Sequence, residues 1–291
     1  MMKLCVAGVP ICIESAHPEW AKERYAAYVR EDNQPDLMNI RVVLKDEIVC
    51  PEGTQVGQVK AATILRLNEG QNCRYSRDPK GRVFLATYYN SDYSEVEIQI
   101  LRDQDHPLIS NLDWEYSLTG FAFQDRLTVL GHGIIHASSL AWRGRGVAFS
   151  ANSGTGKSTH VSLWKETFGD EVEIVNDDKP AIVFEGDQAM LCGTPWSGKT
   201  ALNANVKVPL EAIVFIHRSP ENEITKMNAL DSYFNLSSQI ARPYYDARVG
   251  EKMIEFAERI LATVPIYSLG CNISREAVET VVNEIFSKED N

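Results

Sequence analysis

The sequence has no C-x-x-C pair: its six cysteines, Cys5, Cys12, Cys50, Cys73, Cys192 and Cys271, are scattered singly, and none lies near a histidine at metal-ligand spacing. Zinc ribbons and disulfide scaffolds are thereby excluded, and reduced, mostly buried thiols are expected. Positive charge is scarce. The 29 Lys and Arg face 40 Asp and Glu, a formal net charge of -11, so there is no broad basic surface to neutralise phosphates and no nucleic acid partner is expected. Long apolar runs are missing too: no stretch has the length to span a bilayer, and the opening Met1–Val6 is too short for a signal peptide. No membrane partner is expected, and the cytoplasm is the expected compartment. Low-complexity tracts, repeats and Pro/Ser-rich linkers are also lacking, so any domain boundary must show as a change of pattern.

What is present is a chain of 291 residues with 44% apolar side chains, enough for two domains with their own cores. The pattern changes near residue 130. Before it, apolar residues alternate in Ile40–Leu44 and in Val96–Ile100, Asp78-Pro79-Lys80-Gly81 reads as a hairpin turn, and helices are expected over Pro18–Arg30 and Trp114–Leu130. This segment, 1–130, reads as a strand-rich α+β module without a cluster of catalytic residue types. A substrate-recognition module, a surface for homo-oligomer formation and a supporting domain are all open readings of it. In 131–291, buried strands alternate with helices: Ile134–Trp142, Val147–Ser150, a helix to Phe168, Val172–Asn176, Ile182–Phe184, Ala212–His217, then helix, strand and helix to Phe286. That alternation predicts an α/β domain.

One segment of this domain carries the elements of a phosphate cradle. Val147–Ser150 is an apolar strand, Ser153-Gly154-Thr155-Gly156-Lys157-Ser158-Thr159 is a glycine turn, and Val161, Trp164 and Phe168 follow at helical spacing up to Gly169. Glycines let successive backbone N–H groups converge on one anion, and the helix N-terminus adds partial positive charge. Lys157 can reach terminal phosphates, and Ser158 offers a hydroxyl to Mg²⁺. The usual pattern, G-x-x-x-x-G-K-S/T, has glycine where this chain has Ala151. Gly193–Thr200 meets that pattern at every position, yet Pro195 removes a donor and Asn203, Asn205, Val206, Val208 and Pro209 make a poor helix after it. The nucleotide loop is therefore assigned to 153–159, and 193–200 is read as a structural loop or as a substrate-side loop through Lys199.

Val172–Val175 runs into Asn176-Asp177-Asp178-Lys179-Pro180, which sets two carboxylates at the carboxyl end of a strand, where α/β sheets bind ligands. One can serve Mg²⁺ and the other can take a proton from an attacking hydroxyl; a solvated acidic turn is the plainer alternative. A hairpin centred on Arg143–Gly146 would bring His136 beside Ser153, where it could contact a phosphate, or else be a core histidine bonded to a carbonyl. His160 reads as exposed in the first helical turn. Arg218 and Arg242 are further substrate-side candidates, each able to offer a cation to a transferring phosphoryl group.

Taken together, His136-Ala137-Ser138, the loop Ser153–Thr159 and Asp177-Asp178 resemble the catalytic core of HPr kinase/phosphorylase, and the interval of 21 residues from His136 to Lys157 is similar to that family's. Phosphoenolpyruvate carboxykinases share this kind of P-loop and paired aspartates, and Gly193–Lys199 and Leu269-Gly270-Cys271-Asn272 resemble bacterial members of the group. The likeness covers residues 131–218; 1–130 does not resemble the regulatory domain of HPr kinase. The resemblance implies an α/β P-loop kinase domain of the HPr kinase/phosphoenolpyruvate carboxykinase type, with ATP and Mg²⁺ as cofactors. It also implies that Lys157 binds phosphate, that Ser158 and Asp178 serve the metal, that Asp177 or Asp178 is the base, and that His136 is an active-site partner. The expected function is transfer of a phosphoryl group to a hydroxyl acceptor, a protein or peptide serine or a small metabolite. A catalytically silent nucleotide-binding regulator or scaffold and a carboxykinase-like enzyme are the alternatives.

Overall fold

Alternating apolar residues build the strands of one large sheet within the first 130 residues. The computed structural model describes residues 1–67, 70–240 and 247–287, which form a mixed α/β structure of two units, Met1–Leu130 with Arg242–Lys252 and Gly131–Ala241 with Met253–Asn291.

The first unit comprises β1 (Met2–Val6), β2 (Val9–Glu14), α1 (Pro18–Arg24), β3 (Met38–Lys45), β4 (Thr54–Val59), β5 (Ala62–Arg66), β6 (Asn72–Arg77), β7 (Val83–Tyr89), β8 (Glu95–Leu101) and α2 (Asn111–Val129). Its sheet runs β1-β2-β3-β8-β7-β6-β5-β4. Met38, Ile40 and Val42 of β3 point to the buried face at period two. The turn at Asp78 closes β6 to β7, with Gly81 N donating to Asp78 O at 2.9 Å. Ser110 and Asp113 form a capping box that starts α2. The helix expected over Pro18–Arg30 ends at Arg24, followed by a short 3₁₀ turn at Ala26–Tyr28. Arg30 N donates to Lys3 O, and Val29 bridges to Leu4, so pairing with β1 draws the chain out of the helix.

The second unit comprises β9 (Gly133–Ile134), β10 (Ala137–Trp142), β11 (Arg145–Ser150), α3 (Lys157–Phe168), β12 (Val172–Asn176), β13 (Ala181–Glu185), β14 (Gln188–Cys192), β15 (Lys207–Arg218), β16 (Glu223–Lys226), α4 (Ala229–Gln239), the part of α5 (Ala247–Thr263) from Met253 onward, β17 (Ile266–Cys271) and α6 (Arg275–Val281). The strand expected over Ile134–Trp142 is broken at Ile135 and His136, because β9 pairs β13 whereas β10 pairs β11 and β12. The long β15 changes partners along its length: Lys207–Pro209 pair antiparallel with β14, and later residues pair parallel with β11 and β17. Both faces of β11 are covered. Val147 and Phe149 pack with Trp164 of α3 and Val278 of α6, while Ala148 packs with Leu236 of α4 and Phe256 of α5. This sandwiching leaves the ends of β11 and β12 open to a site. Among the described residues no helix is long and apolar enough to cross a membrane.

Candidate phosphate and carboxylate site

β11 ends at Ser150, and the chain turns through Gly154 (φ 78°) and Gly156 (φ 124°) before α3 begins at Lys157. Both glycines hold left-handed or more extreme backbone that a β-carbon would strain. No side chain caps α3, so its first N–H groups remain available to an anion. Ala151, the departure from the glycine pattern, is buried against the Val161 and Trp164 cluster. The methyl group fills core there, which accounts for its tolerance. Lys157 is largely buried and its Nζ donates to Ala151 O at 3.0 Å. Burial pushes its pKa down, against the opposing charges of Asp178 and Asp177.

A cavity of about 570 Å³ is lined by His136, Ser153, Gly154, Gly156, Lys157, Ser158, Thr159, Asp177, Asp178 and Ser197–Thr200. The loop, the carboxylates, the histidine and Lys199 thus meet around one space. Thr155 and Arg218 do not line it. They face a second cavity of about 640 Å³ on the other side of the loop, which shares Gly154, Gly156 and Thr159 and adds Leu163, Ile216 and Asn272. Arg218 Nη2 donates to Gly154 O at 2.9 Å, so this arginine buttresses the loop. Arg242 lies outside the described residues.

The two aspartates differ. Asp177 is nearly buried, its Oδ1 accepting from Ser138 Oγ at 2.9 Å and its Oδ2 from Thr200 Oγ1 at 3.1 Å. Ser138 Oγ also lies 3.4 Å from Ser158 Oγ. Asp178 is more open, with Oδ1 at 3.4 Å from His136 Nε2. Burial first, and then the Lys157 charge, push the His136 pKa down, against Asp178 and the Gln239 side chain. The neutral imidazole is therefore favoured.

His136 reaches this position by a register different from the one expected. Ala137 pairs Ser150 and Trp142 pairs Arg145, so the turn contains only Arg143 (φ 52°) and Gly144 (φ 77°), the positive-φ pair of a two-residue hairpin. Continuing that register sets His136 across from Ala151, not beside Ser153. His160 is also corrected: it is buried in α3, stacked edge-on against Phe149, with Nε2 accepting from Trp164 Nε1 at 3.2 Å.

Sequence reasoning passed over Asn176, a fully buried amide. Its Nδ2 donates to Thr194 O (2.8 Å) and Thr194 Oγ1 (3.1 Å), and its Oδ1 accepts from Asp178 N (2.9 Å) and Lys179 N (2.6 Å). It stitches the carboxylate turn to the loop after β14. Gly193 permits that loop to close: an added β-carbon would stand 1.7 Å from Ala204 O. The pattern-perfect segment 193–200 therefore forms a wall beside the carboxylates, with no helix after it.

No family model matches this chain, and no curated protein matches it. Among solved structures it is similar to the Hpr(Ser) kinase/phosphatase from Coxiella burnetii, at 12% identity and a TM-score of 0.30, over 52% of this chain and 93% of that one.

Proposed function

We propose that this protein is a phosphotransferase that moves the terminal phosphoryl group of ATP to a hydroxyl acceptor. One observation carries the reading: an uncapped helix N-terminus behind two left-handed glycines, a buried lysine and a carboxylate pair border the same cavity. Convergent amides and Lys157 suit the phosphates. The second cavity, with Leu163, Ile216 and Ile273 beside Arg218 and Asn272, suits a nucleoside whose phosphates cross the shared glycines.

Ser158 and Asp177 supply hard oxygen donors, joined through the Ser138 hydroxyl, and would hold Mg²⁺. When bound, the cation offsets charge on the phosphate oxygens. This gives the metal to Asp177, where the family resemblance gives it to Asp178. Asp178, open to the cavity and beside neutral His136, is the base. The acceptor oxygen bonds to the γ-phosphorus as the bond from that phosphorus to the β–γ bridging oxygen breaks. ADP leaves with the electron pair, and the hydroxyl proton passes to Asp178. An accessible carboxylate at this point favours transfer over a silent scaffold.

The test measures Mg-ATP binding by titration and ADP release with a panel of hydroxyl acceptors. Lys157→Ala is expected to weaken nucleotide binding more than about tenfold, since it removes the charged phosphate contact. Asp178→Asn is expected to slow transfer by about a hundredfold or more, the usual contribution of a general base. Turnover unchanged in either variant overturns the proposal.

A further inference from the structure

We propose that Ser197–Thr200 forms the acceptor side of the cavity and that Lys199 contacts a carboxylate or phosphate group carried by a small hydroxyl acceptor. This rests on the phosphoryl-transfer reading above and adds the substrate's charge to it.

The wall is built, not a passing surface loop. Thr194, Trp196 and Ser197 are buried, the Asn176 amide ties the loop down, Asn203 Nδ2 donates to Ser197 Oγ at 3.0 Å, and Thr200 Oγ1 reaches Asp177. Gly198 then turns with φ 68°, its backbone so close to Asp178 that an added β-carbon would meet that side chain at 3.0 Å. The next residue, Lys199, therefore emerges beside the carboxylate assigned to the acceptor's proton.

The cations near the two cavities are not alike. Lys157 donates to Ala151 O, just before the glycine loop, and Arg218 to Gly154 O within it. Lys199 is exposed and lines the cavity, and among the described residues no carboxylate lies within ion-pair distance of it. In a chain with net charge -11, a cation left open beside an aspartate is suited to an anion arriving from outside. The cavity, about 570 Å³, has the size of a small-molecule site.

The experiment uses the full chain saturated with Mg²⁺ and a non-hydrolysable ATP analogue, whose own binding is titrated first. Glycerol, glycerate and glycerol 3-phosphate are then titrated as probes that share hydroxyl groups and differ in charge. Wild type is expected to bind at least one of the two anions about tenfold or more tightly than glycerol, the scale of a charge-assisted contact. The tighter anion identifies the carboxylate or the phosphate as the recognised group. Lys199→Arg should keep that preference and Lys199→Gln should lose it, with both variants melting cooperatively as wild type does. The preference should also shrink as salt is raised. Equal or absent binding of all three probes to nucleotide-loaded wild type, or an intact preference in Lys199→Gln, overturns the proposal. Failure of the ATP analogue itself to bind strikes at the phosphoryl-transfer reading, and the first titration makes that failure separately visible.

Discussion

Asn176 makes the carboxylate turn and the loop after β14 one object, since a single amide serves donors and acceptors from both. Removing it takes away the buried donor to Thr194 O and the buried acceptor of the Asp178 and Lys179 amides. Asn176→Ala is expected to lower unfolding free energy by about 3 kcal/mol, from broken buried hydrogen bonds and groups left unsatisfied. A urea melt measures this, and a loss below about 0.5 kcal/mol would mean that the network relaxes around the gap. The carboxylates next to Asn176 were legible in the sequence because charge at a strand's end is conspicuous. The amide was not, because the acceptors of its Nδ2 lie 18 to 20 residues further along, where Gly193 lets two backbone segments come close.

At the scale of elements, α3 and its entry loop could be read from residue types alone: strand, glycines, lysine, then Val161 and Trp164 at helical spacing, ending at Gly169. His160 could not, because the spacing that buries it depends on Phe149 and Trp164 closing around its ring. Trp164 N–H only donates, so His160 Nε2 accepts and the ring is neutral in the folded chain. Burial pushes its pKa from 6.5 down to about 4. Above pH 6.5 neither folded nor unfolded chain holds that proton and stability is complete. Between 6.5 and about 4 only the unfolded chain takes it up, so stability falls as pH falls, by about 3 kcal/mol in total for this histidine. His132 and His136 shift the same way. The carboxylates of Asp92 and Asp113 sit below 3.8 and lose their contribution only in more acid solution. His160→Gln, which keeps an acceptor for Trp164, should flatten the fall in urea midpoint between pH 7 and 4.5. An unchanged slope would assign the acid sensitivity to the other histidines. The hairpin before the loop marks a second limit of legibility, since Arg143 and Gly144 alone form its turn, and a two-residue loop moves every partner relative to a longer one.

For the molecule as a whole, the alternation that predicted an α/β domain was visible because β11 is covered on both faces and so reads as a continuous apolar run. The division of β15 between two sets of partners was not: the expected strand, Ala212–His217, covers only the apolar stretch that pairs parallel with β11 and β17, while Lys207–Pro209, with its proline, does not read as a strand. A ligand bound at the glycine loop offers a test at this scale that requires no acceptor. Nucleotide that binds only the folded chain adds about 2.7 kcal/mol at a hundred times its Kd. For a unit of this size that is a rise in melting temperature of about 5–10 °C. The site residues all belong to the unit formed by Gly131–Ala241 and Met253–Asn291, so if the two units melt separately, Mg-ATP should raise only the transition of that unit. Lys157→Ala, with affinity down about tenfold or more, should cut the rise by about half or more while leaving the nucleotide-free transition cooperative. A rise of equal size in Lys157→Ala, or one confined to the unit formed by Met1–Leu130 and Arg242–Lys252, would put the nucleotide somewhere other than the glycine loop.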